Sequence, residues 1–265
     1  MKLKWYGTAT ILLEQEGTEL LFDPFLSRNE KVFQPPIGEL STKGDILITH
    51  GHLDHLADVP AILEHGGGKA TVYCTKKPCD ILTSKGVEVE HLNQISTGDV
   101  LRFGPFTVRV LKGKHIAFSI WLLTKKLLNP CNLLYRDKLR YLLTENKVCT
   151  EAGETVIFDI TASGKRILLL GSLNLDINTD YPTGADLLIL PYQGRSDMLK
   201  YTMPIIERLK PKRVLLDHFD STFPPISSPM KTWRFVSHMR KAYPNVAVIC
   251  PTASDKWITA ESLFI

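Results

Sequence analysis

Between Ile48 and Val59 the chain reads ITHGHLDHLADV, which sets three of its eight histidines (His50, His52 and His55) and the carboxylate of Asp54 within six consecutive residues. Neutral imidazoles with a carboxylate suit one or two divalent cations, zinc first, with manganese or iron as alternatives. No cysteine stands beside the run, which argues against a sulfur-rich site. On an extended backbone His50 and His52, at i and i+2, point the same way, and Asp54 and His55 can serve a neighbouring position. A dication held by such a set brings the pKa of coordinated water down to about 7 and so supplies hydroxide at neutral pH. The chemistry suggested is metal-assisted hydrolysis, with Asp54 as the catalytic residue that orients the water or passes a proton to the leaving group.

Residues so placed need a rigid platform. Asp45–Thr49 (DILIT) is a short apolar, β-branched run with the pattern of a buried strand, and Leu56–Glu64 has helical spacing up to the stop signal Gly66-Gly67-Gly68. The histidines therefore sit in a strand-to-helix turn. Further strands are expected at Lys2–Trp5, Ile11–Leu13, Glu19–Phe22, Ala70–Tyr73, Val87–Glu90, Val100–Phe103 and Phe106–Leu111. In the second half they are expected at Thr155–Ile160, Arg166–Leu170, Leu187–Leu190 and Val214–Asp217, with helices at Met198–Leu209 and Thr232–Ala242. Strands and helices mixed in both halves, without a linker rich in Pro, Gly or Ser, indicate an α/β (α+β) layered fold and one domain over residues 1–265. The Leu-, Lys- and Arg-rich segment at about 120–147, divided by Pro130, reads as two amphipathic helices inserted between sheet elements. Extra core packing, a lid or oligomer contact, and membrane-surface binding are the roles open to it.

The HxHxDH spacing after an apolar strand resembles the signature of the metallo-β-lactamase superfamily. The likeness extends over most of the chain and implies a four-layered αββα sandwich with a metal-dependent hydrolase activity. WYGTA at 5–9 and LLFDPF at 20–25 resemble the opening hairpin of that family, whose terminal aspartate supports the metal loop; the role passes to Asp23. The resemblance further implies a third His after a strand, matched by His115, and a last one, matched by His218. His50, His52 and His115 would hold a first metal, and Asp54, His55 and His218 a second. His65, His91 and His238 match no motif and are expected at the surface. One departure stands out. The family's bridging aspartate follows a strand in a Gly-Asp pair, and here Arg166–Leu170 runs into Gly171-Ser172. A neutral hydroxyl in that place leaves two adjacent dications less well neutralised, so the second should bind more weakly. Asp176 could substitute only if its loop bends back.

The short spacers and the ending HFDSTFPP resemble, more loosely, an ascorbate-phosphate lactonase-like branch, which implies an ester, lactone or phosphoester small molecule as substrate. The alternatives are a phosphodiesterase or nuclease of the same superfamily, and a non-catalytic metal-binding module that has lost the bridging aspartate. Substrate contacts are expected from PYQGR at 191–195: Arg195 can pair with an anionic group and Tyr192 can pack on the substrate.

Bulk properties limit the partners. The 265 residues carry 32 Lys and Arg against 28 Asp and Glu, a net +4 spread without blocks, which does not advertise a nucleic-acid partner. No apolar run approaches the roughly 18 residues of a membrane span, and the N-terminus reads as a strand and not a signal peptide. The five cysteines lack CxxC spacing, which argues against a disulfide framework and for the reducing cytoplasm. A small-molecule substrate, anionic if Arg195 meets it, is the expected partner, and a homo-oligomer is compatible with the insertion.

Overall fold

The computed structural model describes residues 1–116, 136–224 and 227–264. The first sheet runs in chain order through β1 (Lys2–Gly7), β2 (Thr10–Gln15), β3 (Thr18–Phe22), β4 (Asp45–Leu47), β5 (Val72–Cys74) and β6 (Leu92–Gln94). Its first three strands form an antiparallel meander, and β3 to β6 are parallel. The second sheet has the order β13 (Ala247–Ile249), β12 (Arg213–Asp217), β11 (Leu187–Pro191), β10 (Lys165–Leu170), β9 (Val156–Ala162), β8 (Phe106–Lys112) and β7 (Val100–Phe103). Strands β7 to β10 pair antiparallel and β10 to β13 parallel, so both sheets are mixed.

The period-two alternation of strand side chains divides each sheet into an inner and an outer face. Leu3, Trp5, Ile11 and Phe22 of the first sheet meet Phe106, Val108, Phe158 and Leu169 of the second in one buried cluster. On the far side of the first sheet, Leu12, Leu21 and Ile46 pack beneath α1 (Ile37–Ser41), α2 (Leu53–Leu56), α3 (Val59–His65) and α4 (Lys76–Ser84). A thirteen-residue helix, α5 (Arg136–Val148), joins that layer through Leu142. The far side of the second sheet, through Leu168, Leu190 and Leu216, packs beneath α6 (Met198–Leu209) and α7 (Trp233–Ala242). A final short helix, α8 (Ala260–Phe264), places Leu263 in the inter-sheet cluster. The result is the expected αββα sandwich. Burial on both faces explains why ILLL, LLIL and VLL are unbroken apolar runs and not alternating ones.

Two expectations shift. Val87–Glu90 is not a strand: a 3-10 turn occupies Val89–His91 and β6 follows it, with Val89 72% exposed. The helix expected over Leu56–Glu64 is broken into α2 and α3 at Ala57-Asp58. There the Asp58 carboxylate accepts the Leu26 N–H and pairs with Arg28, which fixes the turn. Of the helical insertion expected at about 120–147, residues 117–135 lie outside the described residues and the remainder is α5. No helix among the described residues is long and apolar enough to cross a membrane.

Candidate metal centre

The centre forms where β4, β8, β10 and β12 run out at one end of the sandwich. Asp23 is its first support. It follows β3 in a left-handed conformation (φ 45°), and its own N–H donates to the Leu47 carbonyl. The Asp23 carboxylate accepts the Thr49 N–H at 2.7 Å and the Thr49 hydroxyl at 2.6 Å, and lies 2.9 Å from His55 Nδ1. Since the Thr49 hydroxyl gives its one proton to Asp23, its 3.0 Å contact with His50 Nδ1 must be an Nδ1–H donation from the imidazole. That fixes the His50 tautomer and leaves Nε2 as its unprotonated nitrogen. The same logic, with Asp23 as acceptor, turns His55 Nε2 toward Asp54, 3.9 Å away. Gly171 matters here because a Cβ on it would come within 2.2 Å of Thr49 Cβ.

The remaining imidazoles arrive from the second sheet. His115 follows β8, its carbonyl accepting the Asn174 side-chain amide at 3.3 Å. The rings of His115 and His52 meet edge-on with centroids 4.4 Å apart, and His50 Nε2 lies 3.1 Å from His52 Nδ1. His218 follows β12 with φ 59°, its N–H donating to the Thr8 carbonyl in the turn between β1 and β2. Its Nδ1–H donates to Gln193 Oε1 at 2.9 Å, and Nε2 faces Asp54 Oδ2 at 3.2 Å. Two triads result, His50/His52/His115 and Asp54/His55/His218, each with its ligand atoms within 4.8 Å of one another.

Their electrostatics differ. Burial and the neighbouring imidazoles push His50 well below the usual imidazole range and His115 down to about 4; burial also lowers His52. The first triad is therefore neutral at pH 7, the form that binds a cation. In the second triad burial would lower His218, but the Asp54 carboxylate outweighs it and raises the imidazole to about 9. Burial likewise opposes ionisation of Asp54, yet the bond from His218 and the nearby His55 hold its carboxyl far below the usual carboxylate range. Beneath them burial raises Asp217 to about 7. Nitrogen donors with fixed tautomers and one anionic carboxylate fit a divalent cation.

The other residues singled out by sequence fall as follows. Ser172 is buried, and its hydroxyl accepts the Ile116 N–H at 3.1 Å, so it anchors the loop that carries His115. Asp176 does not bend back: its carboxylate pairs with Lys112 at 3.1 Å and accepts the Asn178 N–H. Tyr192 is a correction. Only 2% exposed, it packs against Phe235 in the outer core and offers a ligand no surface. Arg195 instead stacks on Tyr201, 4.5 Å from the ring centroid, beside a cavity of about 350 Å³ that also touches Ile116. His65 and His238 are exposed as expected, whereas His91 is half-buried beneath Gly68. Sequence reasoning missed Thr49, Gln193 and Thr8, whose roles depend on contacts across the fold.

Comparison with known proteins agrees with this fold. Residues 18–126 match the family described as the beta-lactamase superfamily domain. A UPF0173 metal-dependent hydrolase of Carboxydothermus hydrogenoformans is 30% identical over 229 residues, covering 86% of this chain and 88% of the relative. One of Ligilactobacillus salivarius is 27% identical over 247 residues, covering 91% and 95%. Among solved structures, a metallo hydrolase of the hyperthermophilic archaeon Ignicoccus hospitalis superposes with a TM-score of 0.62 at 16% identity, over 97% of this chain and 98% of that one. A likeness at that identity speaks for the fold, and the sequence relatives speak for the family. The chain belongs to the UPF0173 metal-dependent hydrolases, enzymes of the metallo-β-lactamase superfamily.

Proposed function

We propose that residues 1–265 form one hydrolytic domain that cleaves an anionic ester, lactone or phosphoester of small size. The observation that carries this reading is the pair of adjoining triads. His50, His52 and His115 would hold a first divalent cation, and Asp54, His55 and His218 a second, with zinc the best match to nitrogen and carboxylate donors and manganese or iron the alternatives. A cation bound there acidifies coordinated water, which makes hydroxide accessible at neutral pH. The chain's own part is positioning and proton handling. Asp23 and Thr49 orient His50 and His55, and Gln193 orients His218. Asp54, ionised and 3.2 Å from His218, is placed to take a proton from the attacking water and return it to the leaving group.

Substrate preference follows from the cavity beside Ile116. Leu173, Tyr201 and Ile205 give it apolar walls, and Arg195, Lys200 and Arg208 line it without a carboxylate among its described residues. An apolar body with one anionic group fits that lining. The four described cysteines are free thiols, in keeping with a reducing compartment such as the cytoplasm.

Ser172 favours a second reading, a centre with one tightly held cation and slow or absent turnover. Metal analysis by mass spectrometry on the native chain and Ser172→Asp, combined with aryl ester, lactone and phosphodiester panels, separates the two. Near two cations per native chain with turnover supports the hydrolase. One cation, rising to two with activity gained in Ser172→Asp, supports the weaker centre. No bound metal in either protein overturns both.

A further inference from the structure

Two sulfur atoms outside the metal centre, those of Cys74 and Cys79, lie 3.1 Å apart. Cys74 is the last residue of β5 and is fully buried. Cys79 stands one turn into α4 and is partly exposed. Thr75 turns the chain between strand and helix, so α4 folds back over the strand end and returns Cys79 to Cys74, toward whose carbonyl its Sγ also points at 3.6 Å. The pair is not used by the metal centre, and the five-residue separation matches no redox motif in the sequence. We propose that Cys74 and Cys79 are a modification site that closes to a reversible intramolecular disulfide when a peroxide reaches Cys79.

The roles of the two thiols differ. Cys79 is reachable, sits near the positive end of a nine-residue helix and has Lys76 nearby. The hydrogen bond with Cys74 holds the Cys79 thiol below its ordinary pKa against burial and the nearby carboxylates of Asp80 and Glu154, with Lys76 a smaller help, while that bond and burial push Cys74 up. Because a peroxide can reach the partly exposed Cys79 but not the buried Cys74, Cys79 is the attacking sulfur and Cys74 the resolving one. The Cys79 thiolate attacks one oxygen of hydrogen peroxide, the O–O bond breaks, and hydroxide leaves a sulfenic acid on Cys79. The Cys74 sulfur then attacks the Cys79 sulfur, the S–O bond breaks, and the departing hydroxide carries off the Cys74 proton as water. Two thiols lose two electrons and hydrogen peroxide is reduced to two waters. A disulfide needs the sulfurs at about 2 Å, a closure of roughly 1 Å from their present separation. The bond would close a loop of only a few residues, which constrains the unfolded chain little, so it should open readily with a thiol reductant.

The other described cysteines supply internal controls. Cys149 is buried, and burial pushes its thiol up to about 11; Cys250 is exposed but has no second sulfur beside it among the described residues. The test uses the intact native chain, treated with hydrogen peroxide at neutral pH, alkylated and digested with trypsin. The expected result is a disulfide joining the fragments that carry Cys74 and Cys79, formed at least about tenfold faster than Cys250 or Cys149 is oxidised, and undone by dithiothreitol. In Cys74→Ser the oxidation should stop at sulfenic acid on Cys79, trapped by dimedone. The proposal is overturned if both thiols remain alkylatable after Cys250 has been oxidised. It is equally overturned if Cys79 passes to sulfinic acid in the native chain without any bond to Cys74.

Discussion

The proton on His218 sets how the second triad takes up metal. Asp54 raises that imidazole to about 9, so at pH 7 it is held as imidazolium and must lose its proton before Nε2 can bind a cation. Two pH units of competition correspond to a loss of about 100-fold in apparent affinity, or ~2.7 kcal/mol. Affinity of the second site should therefore climb about tenfold per pH unit from pH 6 to 8. The first triad, with His50 well below its usual range and His115 near 4, should change little over that interval. The same proton has a stability consequence of fixed sign. Because the folded value lies above the ordinary 6.5, the Asp54–His218 pair stabilises the chelator-treated protein fully below about pH 6.5. The contribution, up to ~3 kcal/mol, is lost as pH rises through 9. Three measurements check this: proton NMR of the imidazoles in chelator-treated protein, zinc titration by calorimetry across the pH range, and urea unfolding of the native chain against His218→Asn. The reasoning is refuted if His218 titrates near 6.5, or if both metal sites gain affinity equally with pH.

Other expectations concern the supports. Asp23→Ala removes three contacts from a carboxylate that is 1% exposed; urea unfolding should show a loss of about 3 kcal/mol, and zinc affinity should fall by roughly 10- to 100-fold. Ser172→Ala strips the buried Ile116 N–H of its acceptor and should cost about 1–3 kcal/mol in the same assay without abolishing binding at the first triad. Gly171→Ala drives a methyl into Thr49; thermal unfolding should register ~1–3 kcal/mol of overpacking, with weaker metal retention as His50 is displaced. Arg195→Ala should raise KM for a carboxylate-bearing ester several-fold while leaving kcat for a neutral ester unchanged, as steady-state kinetics will show.

The chemistry of the centre could be read from sequence wherever the donors cluster or follow an apolar strand, because a buried parallel strand leaves a continuous apolar run that points at its own C-terminal turn. His50, His52, Asp54 and His55 were visible for that reason, and His115 and His218 through the likeness to a family. What stayed hidden depends on contacts between distant positions. Ser172 stands in the sequence where a carboxylate is expected, but its partner, the Ile116 N–H, is 56 residues away. Tyr192 follows a strand end like a ligand-loop residue, yet its ring turns under α7. The Val-Glu-Val-Glu stretch at 87–90 alternates as a strand does, but only Val87 finds a core; Val89 is exposed and the backbone takes a 3-10 turn. Cys74 and Cys79 meet only because α4 doubles back over β5.

The bond from the His218 N–H to the Thr8 carbonyl joins the end of β12 to the first hairpin of the chain, 210 positions earlier. Within the centre, His50 to His55 belong to the first sheet, while His115 and His218 belong to the second. A cation shared by such donors is a rivet between the two halves of the sandwich. Ligand binding to the native state alone adds RT ln(1 + [L]/Kd) to its stability, and here that gain opposes the separation of the sheets in particular. During synthesis the second triad cannot assemble until residue 218 has emerged and docked on a hairpin made long before. Metal retention thus reports that both sheets have closed on each other, and a chain truncated ahead of β12 should fold its first sheet without gaining a complete centre.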